Sequence, residues 1–284
     1  MLPTIHPSLR QLACKHDSFI VDLWGTIHDG YNLKPGAAEC LRQMQNLGPV
    51  CLLSNANRRA TTETARLRSM GLDRSYFNSI VTAGEICRLR LKYDLPSHVG
   101  NRFFYLGKEE NSKLLSGLGF SRVQSVSSAD FLLVGDPEDD KQDLVDYSST
   151  LKRAHECDLV LVCPNPDLRS VWGGQERKKP GAIATLYDQL GGETLWYGKP
   201  HSHAFQAACR TFSNATSTLV IGDGISNDIV GGHAYGLDVC FVAGGRESVF
   251  LQVAAGECPT PMRVFDLIRG LDLQSLDTIP RLVW

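Results

Sequence analysis

The feature that most constrains the fold is a series of short apolar runs, each of which ends abruptly in a polar turn. The first run, Phe19-Ile20-Val21, leads straight into Asp22 and is followed by Gly25-Thr26. An apolar run of this length that glycine closes predicts a buried strand. Helical patterns separate the runs, and strands that alternate with helices indicate a mostly parallel sheet. Asp22 is therefore expected at the carboxyl end of a central strand, the edge where ligands bind in such sheets.

Three further apolar runs end in polar turns that carry reactive side chains, namely Ser54, Lys199 and Asp223. If all four runs are strands of one parallel sheet, their turns converge at one edge. The four side chains then suit phosphoryl transfer, in which a carboxylate can be the nucleophile and Lys199 neutralises charge while Ser54 holds phosphate oxygens. Asp22 and Asp223 also offer the oxygen ligands that Mg²⁺ prefers.

The composition is that of an ordinary globular protein. Of the 284 residues, 43% are hydrophobic and 21% are charged, and the formal net charge is −2. This balance favours neither nucleic acid nor an anionic membrane as a partner. No apolar run approaches the ~20 residues that cross a bilayer, and the first residues lack a signal-peptide pattern. The nine cysteines include no C-x-x-C pair, which predicts neither a disulfide framework nor a zinc site and favours a cytoplasmic location.

The pattern of the chain changes after about residue 84. From there to about residue 180, further strands and helices alternate as a self-contained α/β unit that closes in a loop rich in proline, glycine and charge. We therefore predict a core built from residues 1–84 and 181–284, with an inserted α/β unit at residues 85–180. The two ends of such an insertion must lie close together.

The sequence resembles the haloacid dehalogenase superfamily. Its first motif, of D-x-D-G-T type, is similar to Asp22-Leu23-Trp24-Gly25-Thr26, with one departure, and the other three motifs are similar to Ser54, Lys199 and residues 222–228. Together with Asn165-Pro166-Asp167, the pattern resembles the class IIA (NagD-like) branch, which includes sugar-phosphate and p-nitrophenyl phosphate phosphatases. The resemblance covers nearly the whole chain. It implies an α/β fold with a Rossmann-like, three-layer parallel-sheet core and an inserted α/β cap domain.

The resemblance also implies a reaction, a cofactor and a set of site residues. The expected reaction is Mg²⁺-dependent hydrolysis of a small phosphorylated metabolite, such as a sugar phosphate, through an aspartyl phosphate, and the cap is expected to support a homodimer. The expected site residues are catalytic (Asp22, Ser54, Lys199), metal-binding (Asp22, Asp223 and the carbonyl of Trp24), supporting (Asn55, Asn227, Asp228) and substrate-binding (Arg59, Asn165, Asp167). The segment 165–167 also fits a plain turn, and Arg59 also fits a solvated helix arginine.

The departure from the family pattern is Trp24. Phosphatases of the superfamily normally have a second Asp there, which protonates the leaving group and then activates water. An indole ring can do neither, and such acid–base help is typically worth ~10²–10⁴-fold in rate. The nearest candidates to replace it are His28, Asp29 and His201.

Three interpretations of Trp24 follow. The first is a slow phosphatase that favours good leaving groups, because the nucleophile and the metal set are intact. The second is a metal-independent carbon–halogen hydrolase, since the superfamily's dehalogenases carry an aromatic residue at this position, although their cap lies between the first two motifs. The third is a non-catalytic or regulatory protein that has kept a ligand-binding pocket.

Overall fold

Strands and helices alternate along the computed structural model, which describes residues 2–96, 99–138, 143–172, 175–254, 256–273 and 276–284. The strands of these ranges are β1 (Thr4–Ile5), β2 (Ser18–Val21), β3 (Val50–Ser54), β4 (Ser79–Thr82), β5 (Arg102–Leu106), β6 (Ser121–Val123), β7 (Phe131–Val134), β8 (Val160–Cys163), β9 (Arg169–Trp172), β10 (Gln175–Lys178), β11 (Thr194–Trp196), β12 (Thr218–Gly222), β13 (Asp238–Val242) and β14 (Asp277–Ile279).

The α-helices of the same ranges are short. They are α1 (Arg10–Ala13), α2 (Ala37–Gln45), α3 (Ala60–Ser69), α4 (Ala83–Tyr93), α5 (Ser148–Glu156), α6 (Pro180–Gln189), α7 (Ser202–Cys209), α8 (Val230–Ala234), α9 (Ser248–Leu251) and α10 (Pro261–Ile268). None of the helices described here is long and apolar enough to cross a membrane.

The chain divides into two compact units, the first of which holds a seven-stranded sheet. This unit comprises the chain up to Ser54, Thr61–Val81 and Lys199–Trp284. Its strand order is β1-β14-β13-β12-β2-β3-β4, and each pairing from β1 to β3 in that order is parallel. The predicted α/β class with a parallel sheet is confirmed.

The core of the first unit lies around its central strands. All four residues of β2 are buried, as are all five of β3. Phe19 and Val21 of β2 pack in one apolar cluster with Leu41 and Met44 of α2. Strands that are buried on both faces read as unbroken apolar runs, which is why the sequence predicts them well.

The second unit comprises Asn55–Ala60 and Thr82–Gly198. Its five-stranded sheet has the order β11-β8-β7-β5-β6, and all four pairings are parallel. Strands β9 and β10 form a separate antiparallel pair. The apolar cluster of this unit joins strand residues such as Leu132 and Leu161 to Leu151 of α5 and Ile183 of α6.

The prediction that residues 181–198 belong to the core is wrong. Strand β11 pairs with β8 in the second sheet, with Trp196 opposite Cys163, and α6 packs against β7, β8 and β11. The predicted convergence of four turns assumed that the apolar run before Lys199 is a strand of the first sheet. That run is instead a strand of the second sheet. Lys199 is instead the residue at which the chain re-enters the first unit.

Candidate active site

Two buried carboxylates lie at the carboxyl ends of neighbouring strands in the first unit. Asp22 directly follows β2 and Asp223 directly follows β12, and these two strands pair in parallel with Val21 opposite Ile221. The N–H of Asp22 donates to the carbonyl oxygen of Ile221 at 2.9 Å, which continues the ladder into the turn. The sheet register therefore fixes both carboxylates at one edge.

Lys199 supplies the cation for this edge. Its Nζ lies 2.5 Å from Oδ1 of Asp22 and 2.6 Å from Oδ1 of Asp228, and it also donates to the carbonyl oxygen of Leu53 at 3.0 Å. The side chain is only 1% exposed. Burial favours the neutral amine, but the two carboxylates outweigh burial and raise the pKa of Lys199. The ammonium group is therefore held charged beside the nucleophile candidate.

Asp228 is placed by a tight turn. It belongs to a single π-helical turn, Ile225–Ile229, which begins just after Asp223. Its Oδ2 accepts the N–H of Gly224 at 3.1 Å, and its own N–H donates to Oδ1 of Asn227 at 2.8 Å. A Cβ on Gly222 would lie 2.3 Å from Cγ of Asp228, so glycine is needed for the close approach. Asp228 thus contacts Lys199 and Asn227 accepts the N–H of Asp228, while their supporting role in the reaction stays a prediction.

A divalent metal ion fits the carboxylates at this edge. One oxygen from each of Asp22, Asp223 and Asp228 can be chosen so that all three lie within 4.8 Å of one another. Oδ2 of Asp22 and Oδ1 of Asp223 are buried and accept no hydrogen bond from the described part of the chain. Such orphaned carboxylate oxygens are the hard ligands that Mg²⁺ takes, and a buried oxygen without a partner is otherwise costly.

Electrostatics at the edge supports the same assignment. Burial and then the neighbouring charge of Asp22 raise the pKa of Asp223 to about 6. Burial also raises the pKa of Asp22, but a carboxyl group 2.5 Å from a lysine ammonium is the ionised partner of that pair. Raised pKa values show that positive charge does not fully offset the burial of these carboxylates. A bound cation would supply it.

The ring of Trp24 lies in a small cluster of the first unit. The guanidinium carbon of Arg66 lies 5.4 Å from the ring centre, and the His28 ring meets the indole edge-on at 5.2 Å. A Cβ on Gly30 would lie 2.3 Å from the ring. The structure thus gives the indole a packed place between α3 and the turn after β2, and nothing in that cluster makes it a proton donor to a leaving group.

Asp29 is unsuited to replace the missing acid. It is exposed, and its Oδ1 accepts the N–H groups of Tyr31 and Asn32, both at 2.8 Å. The hydrogen bond from Asn32 is the largest cause that lowers the pKa of Asp29. A carboxyl group that donates a proton near neutral pH needs a raised pKa, so this candidate is set aside.

The two histidine candidates are held differently. His28 is fully buried, and its Nδ1 accepts the N–H of Gly30 at 3.1 Å, which places the ring proton of the neutral form on Nε2. His201 precedes α7 and stacks on His203 at 5.7 Å, and burial lowers the pKa of His201. Replacement of the missing acid by either residue stays a prediction.

Ser54 and Asn55 lie on either side of the division between the units. Ser54 is buried and ends β3, two residues beyond Leu52, which pairs with Val21. Ser54 therefore lies at the same sheet edge as Asp22. Asn55 belongs to the second unit, where its Nδ2 donates to Oδ1 of Asp167 at 3.1 Å. Its observed contact is with a predicted substrate-binding residue.

The three predicted substrate-binding residues all lie in the second unit, and each has a structural partner. Oδ1 of the buried Asn165 accepts the N–H of Asp167 at 2.9 Å, which is the plain turn that the sequence left open. Nε of Arg59 donates to Glu85 at 2.7 Å. These contacts place the residues but do not test their roles toward a substrate, which stay predictions.

Two basic residues at this edge of the first sheet were not predicted from the sequence. Arg246 donates its N–H to Oδ2 of Asp223 at 2.6 Å. It follows β13 and Gly244-Gly245, a fifth polar turn at a strand end, which was the signal that could have revealed it. Lys34 donates to the carbonyl oxygens of Gly25 and Gly244. No motif or spacing in the sequence marks Lys34.

Comparison with known proteins places these motifs in a family. Residues 19–121 match the family described as haloacid dehalogenase-like hydrolase, and residues 196–267 match a related HAD-hydrolase-like family. Together the matched segments span more than half of the chain. They contain every residue that the sequence analysis assigned to catalysis or to metal binding.

Individual relatives extend the likeness over most of the chain. Chronophin from Rattus norvegicus is 29% identical over 263 residues, which cover 85% of this chain and 81% of the relative. D-glycerol 3-phosphate phosphatase from Mycobacterium tuberculosis is 24% identical over 271 residues, which cover 94% of this chain and 73% of the relative.

Solved structures show the same fold. A haloacid dehalogenase-like hydrolase from Brucella suis 1330 superposes with a TM-score of 0.82 at 25% identity and covers 97% of this chain and 99% of its own. Glycerol phosphate phosphatase from M. tuberculosis, solved in complex with magnesium, superposes with a TM-score of 0.69 at 20% identity and covers 95% of this chain and 76% of its own. The chain thus shares its α/β fold with these proteins.

Proposed function

This chain belongs to the haloacid dehalogenase-like hydrolases, and we propose that it is a Mg²⁺-dependent phosphatase that hydrolyses a small phosphorylated metabolite through an aspartyl phosphate on Asp22. The observation that carries the proposal is the buried contact of 2.5 Å between Nζ of Lys199 and Oδ1 of Asp22. It leaves Oδ2 of the same carboxylate without a hydrogen bond from the described residues. The phosphatase names of the relatives support the reaction class.

The first step is transfer of the phosphoryl group to Asp22. A carboxylate oxygen of Asp22 attacks phosphorus, the bond from phosphorus to the ester oxygen breaks, and the alcohol leaves as an alkoxide or with a proton from solvent. Lys199 offsets the charge of the nucleophile and of the transferring group, and the Ser54 hydroxyl holds a phosphate oxygen. In the second step water attacks phosphorus, which releases orthophosphate and restores the Asp22 carboxylate.

The residues that would hold the metal ion are Asp22, Asp223 and the carbonyl of Trp24, and a carboxylate oxygen of Asp228 lies within 4.8 Å of one from each acid. When bound, Mg²⁺ supplies positive charge that stabilises the transferring phosphoryl group. The chain's own contribution is to keep the two carboxylates ionised and close together. The N–H of Arg246 donates to Oδ2 of Asp223 and so favours the ionised form of that carboxylate.

The leaving group has no general acid at position 24 or 29. The indole N–H of Trp24 is far too weakly acidic to transfer its proton to an ester oxygen, and the Asp29 carboxylate accepts hydrogen bonds within a turn. We therefore propose that the preferred substrates have leaving groups that depart without protonation, such as aryl or acyl phosphates, and that simple alkyl phosphates react slowly. The rate on alkyl phosphates should lack the ~10²–10⁴-fold that a general acid typically contributes.

Phosphate release from a panel of phosphate esters tests the proposal. With Mg²⁺ present, the wild-type protein should release orthophosphate from at least the aryl and acyl phosphates. Asp22→Asn should lose about a thousandfold or more, because the nucleophile is gone. Asp272→Asn, at an exposed position, is the matched control and should keep wild-type activity.

Two outcomes would overturn the proposal. Equal inactivity of the wild-type protein and Asp22→Asn on the whole panel would instead favour a non-catalytic ligand-binding protein. Full activity of Asp22→Asn would remove the aspartyl phosphate from the mechanism. Mass spectrometry of the wild-type protein quenched during turnover should show one added phosphoryl group, which Asp22→Asn lacks.

A further inference from the structure

Lys34 is a cation next to the candidate metal site, and the proposed reaction assigns it no role. Its Nζ donates to the carbonyl oxygen of Gly25 and, at 2.9 Å, to that of Gly244. Burial lowers the pKa of Lys34, and the nearby charges of Asp223, Asp29 and Asp22 offset only part of this effect. The ammonium group is therefore partly withdrawn from water and lies in the field of the carboxylates at the sheet edge.

Lys34 connects the turn at Gly25 to the turn at Gly244-Gly245, and both turns pack against the Asp223 carboxylate. A Cβ on Gly25 would lie 1.8 Å from Oδ2 of Asp223, and a Cβ on Gly245 would lie 2.2 Å from the same oxygen. The first turn follows β2 and the second follows β13. These strands lie on either side of β12, which Asp223 follows, so the two turns approach Asp223 from both sides. By donating to a carbonyl of each turn, Lys34 fixes its own charge beside this carboxylate.

Three cations already act on the carboxylates at this edge before any metal ion arrives. The three carboxylates are Asp22, Asp223 and Asp228, and the three cations are Lys199, Arg246 and Lys34. Lys199 contacts Asp22 and Asp228 directly, while Arg246 and Lys34 both act on Asp223 and lower its pKa, against burial, which is the largest effect and raises it. A divalent ion that binds to Asp22 and Asp223 is therefore also repelled by the charge of Lys34.

We propose that Lys34 weakens the binding of Mg²⁺ to the phosphate-free protein and so makes tight Mg²⁺ binding depend on a bound phosphate group. The proposal rests on the proposed function, because it takes Asp22 and Asp223 as the metal ligands. A phosphate dianion brings the negative charge that offsets Lys34, and Mg²⁺ in proteins is typically held by one or two carboxylates together with substrate phosphates. Metal and substrate then load together, and product release loosens the metal.

Isothermal titration calorimetry with MgCl₂ on metal-free protein tests this without any turnover. Lys34→Met removes the charge and keeps the length of the side chain, and it should bind Mg²⁺ about tenfold tighter than the wild type or more, since charges this close in a partly buried site interact strongly. Lys34→Arg keeps the charge and should stay near wild type. Lys15→Met, which removes an exposed lysine elsewhere in the first unit, controls for the change in net charge.

A second titration uses the wild-type protein alone. Saturating orthophosphate should tighten its Mg²⁺ binding by about tenfold or more, and the tightening should be smaller in Lys34→Met, because the coupling acts through the charge that was removed. This measurement keeps the proposal falsifiable even if Lys34→Met fails to fold.

The outcomes separate this proposal from the proposed function. If the wild type binds Mg²⁺ and Asp223→Asn does not, while Lys34→Met binds no tighter than the wild type, the role of Lys34 is overturned and the metal-dependent phosphatase stands. Absence of any tightening by orthophosphate in the wild type overturns the role of Lys34 as well. If neither wild type nor Lys34→Met binds Mg²⁺, with or without orthophosphate, both proposals fail.

Discussion

The Nζ atom of Lys199 lies 2.5 Å from Oδ1 of Asp22, and both side chains are buried. Lys199 also contacts Asp228 at 2.6 Å, so one cation serves two carboxylates that water reaches poorly. Removal of one partner from a buried ion pair is far more destabilising than the pair itself is stabilising, because the remaining charge stays buried. This asymmetry makes Lys199 a structural as well as a chemical requirement of the site.

We therefore expect Lys199→Met to lower the free energy of unfolding by about 3–5 kcal/mol at pH 8 in metal-free buffer. Without the cation, Asp22 and Asp228 have raised pKa values in the folded protein and ordinary ones, 3.8, in the unfolded chain. Folding then favours proton uptake, so the variant should be most stable at low pH and lose stability as the pH rises above the ordinary carboxyl pKa.

Urea unfolding curves of wild type and Lys199→Met between pH 5 and pH 8 would measure this. The difference in midpoint should widen as the pH rises. A difference that is constant with pH, or that narrows toward pH 8, would show that the carboxylates do not depend on Lys199 for their charge compensation.

Trp24 should control how steeply the rate depends on the leaving group. In wild type, kcat/KM should fall steeply from aryl to alkyl phosphates, because neither Trp24 nor Asp29 can protonate the departing oxygen. Trp24→Asp restores the acid of the family's first motif and should raise kcat/KM on alkyl phosphates at least about tenfold, toward the ~10²–10⁴-fold that such an acid gives. Aryl phosphates should gain little.

The matched variant is Trp24→Asn. It opens the same space beside Arg66 and His28 but has no proton of suitable acidity. The prediction concerns the kcat/KM of Trp24→Asp divided by that of Trp24→Asn, measured over a series of phosphate esters whose leaving groups differ in pKa. A ratio near one throughout would mean that position 24 does not reach the leaving group in this chain.

The sequence predicted that Asp22 and Asp223 lie at one edge of the first sheet, and it did so from local features. The runs before Asp22 and Asp223 are buried on both faces, so they are unbroken and easy to recognise, and each acid follows its strand at once. Parallel pairing then brings the two acids together without further information. Ser54 was found in the same way, because it ends the buried strand β3.

The sequence could not predict what depends on distant pairing. The run that ends at Trp196 looks like those that precede the two acids, yet β11 pairs with β8 of the other sheet, because nothing local decides which sheet a short strand joins. Lys34 likewise donates to the carbonyl oxygens of Gly25 and Gly244, which lie far apart in the sequence. Carbonyl acceptors leave no mark in a sequence.

Gly25 should prove essential for a reason separate from its backbone angle. Its φ is +82°, and a Cβ there would lie 1.8 Å from Oδ2 of Asp223. Gly25→Ala must therefore displace the carboxylate or the turn, and a misplacement of about 1 Å at a reacting site can reduce the rate ~10²-fold. We expect phosphatase activity and Mg²⁺ binding to fall together.

Gly270→Ala is the control for Gly25→Ala. Gly270 has a similar φ of +88° and no atom within 4 Å of the added Cβ. It should cost about 1 kcal/mol of stability for the left-handed backbone and leave activity unchanged. If Gly25→Ala lowers stability by the same amount and keeps full activity and Mg²⁺ affinity, the close packing on Asp223 has no part in catalysis.

Asp136 carries the last prediction, which concerns the second unit. Its Oδ1 lies 2.9 Å from Nζ of Lys179, and its Oδ2 accepts hydrogen bonds from Asn57 at 3.3 Å and Asn111 at 3.0 Å. Burial alone raises the pKa of Asp136, but the charge and hydrogen bond of Lys179 and the hydrogen bond of Asn57 outweigh it, so the pKa lies below the ordinary 3.8. The ionised carboxylate thus anchors the segment after Ser54 to the second unit.

Because this pKa is lowered in the folded protein, the stability that it contributes is fully present above pH 3.8 and is lost as the pH falls through the folded-state value. Asp136→Asn should lower the free energy of unfolding by about 3 kcal/mol at pH 7, since it leaves Lys179 without its counter-ion. The difference from wild type should shrink in acid, as wild type also loses the charge. Urea unfolding at pH 7 and at pH 3 checks this, with Asp188→Asn at an exposed site of α6 as the control. A deficit that is equal at both pH values would show that the carboxylate's charge is not what holds this network together.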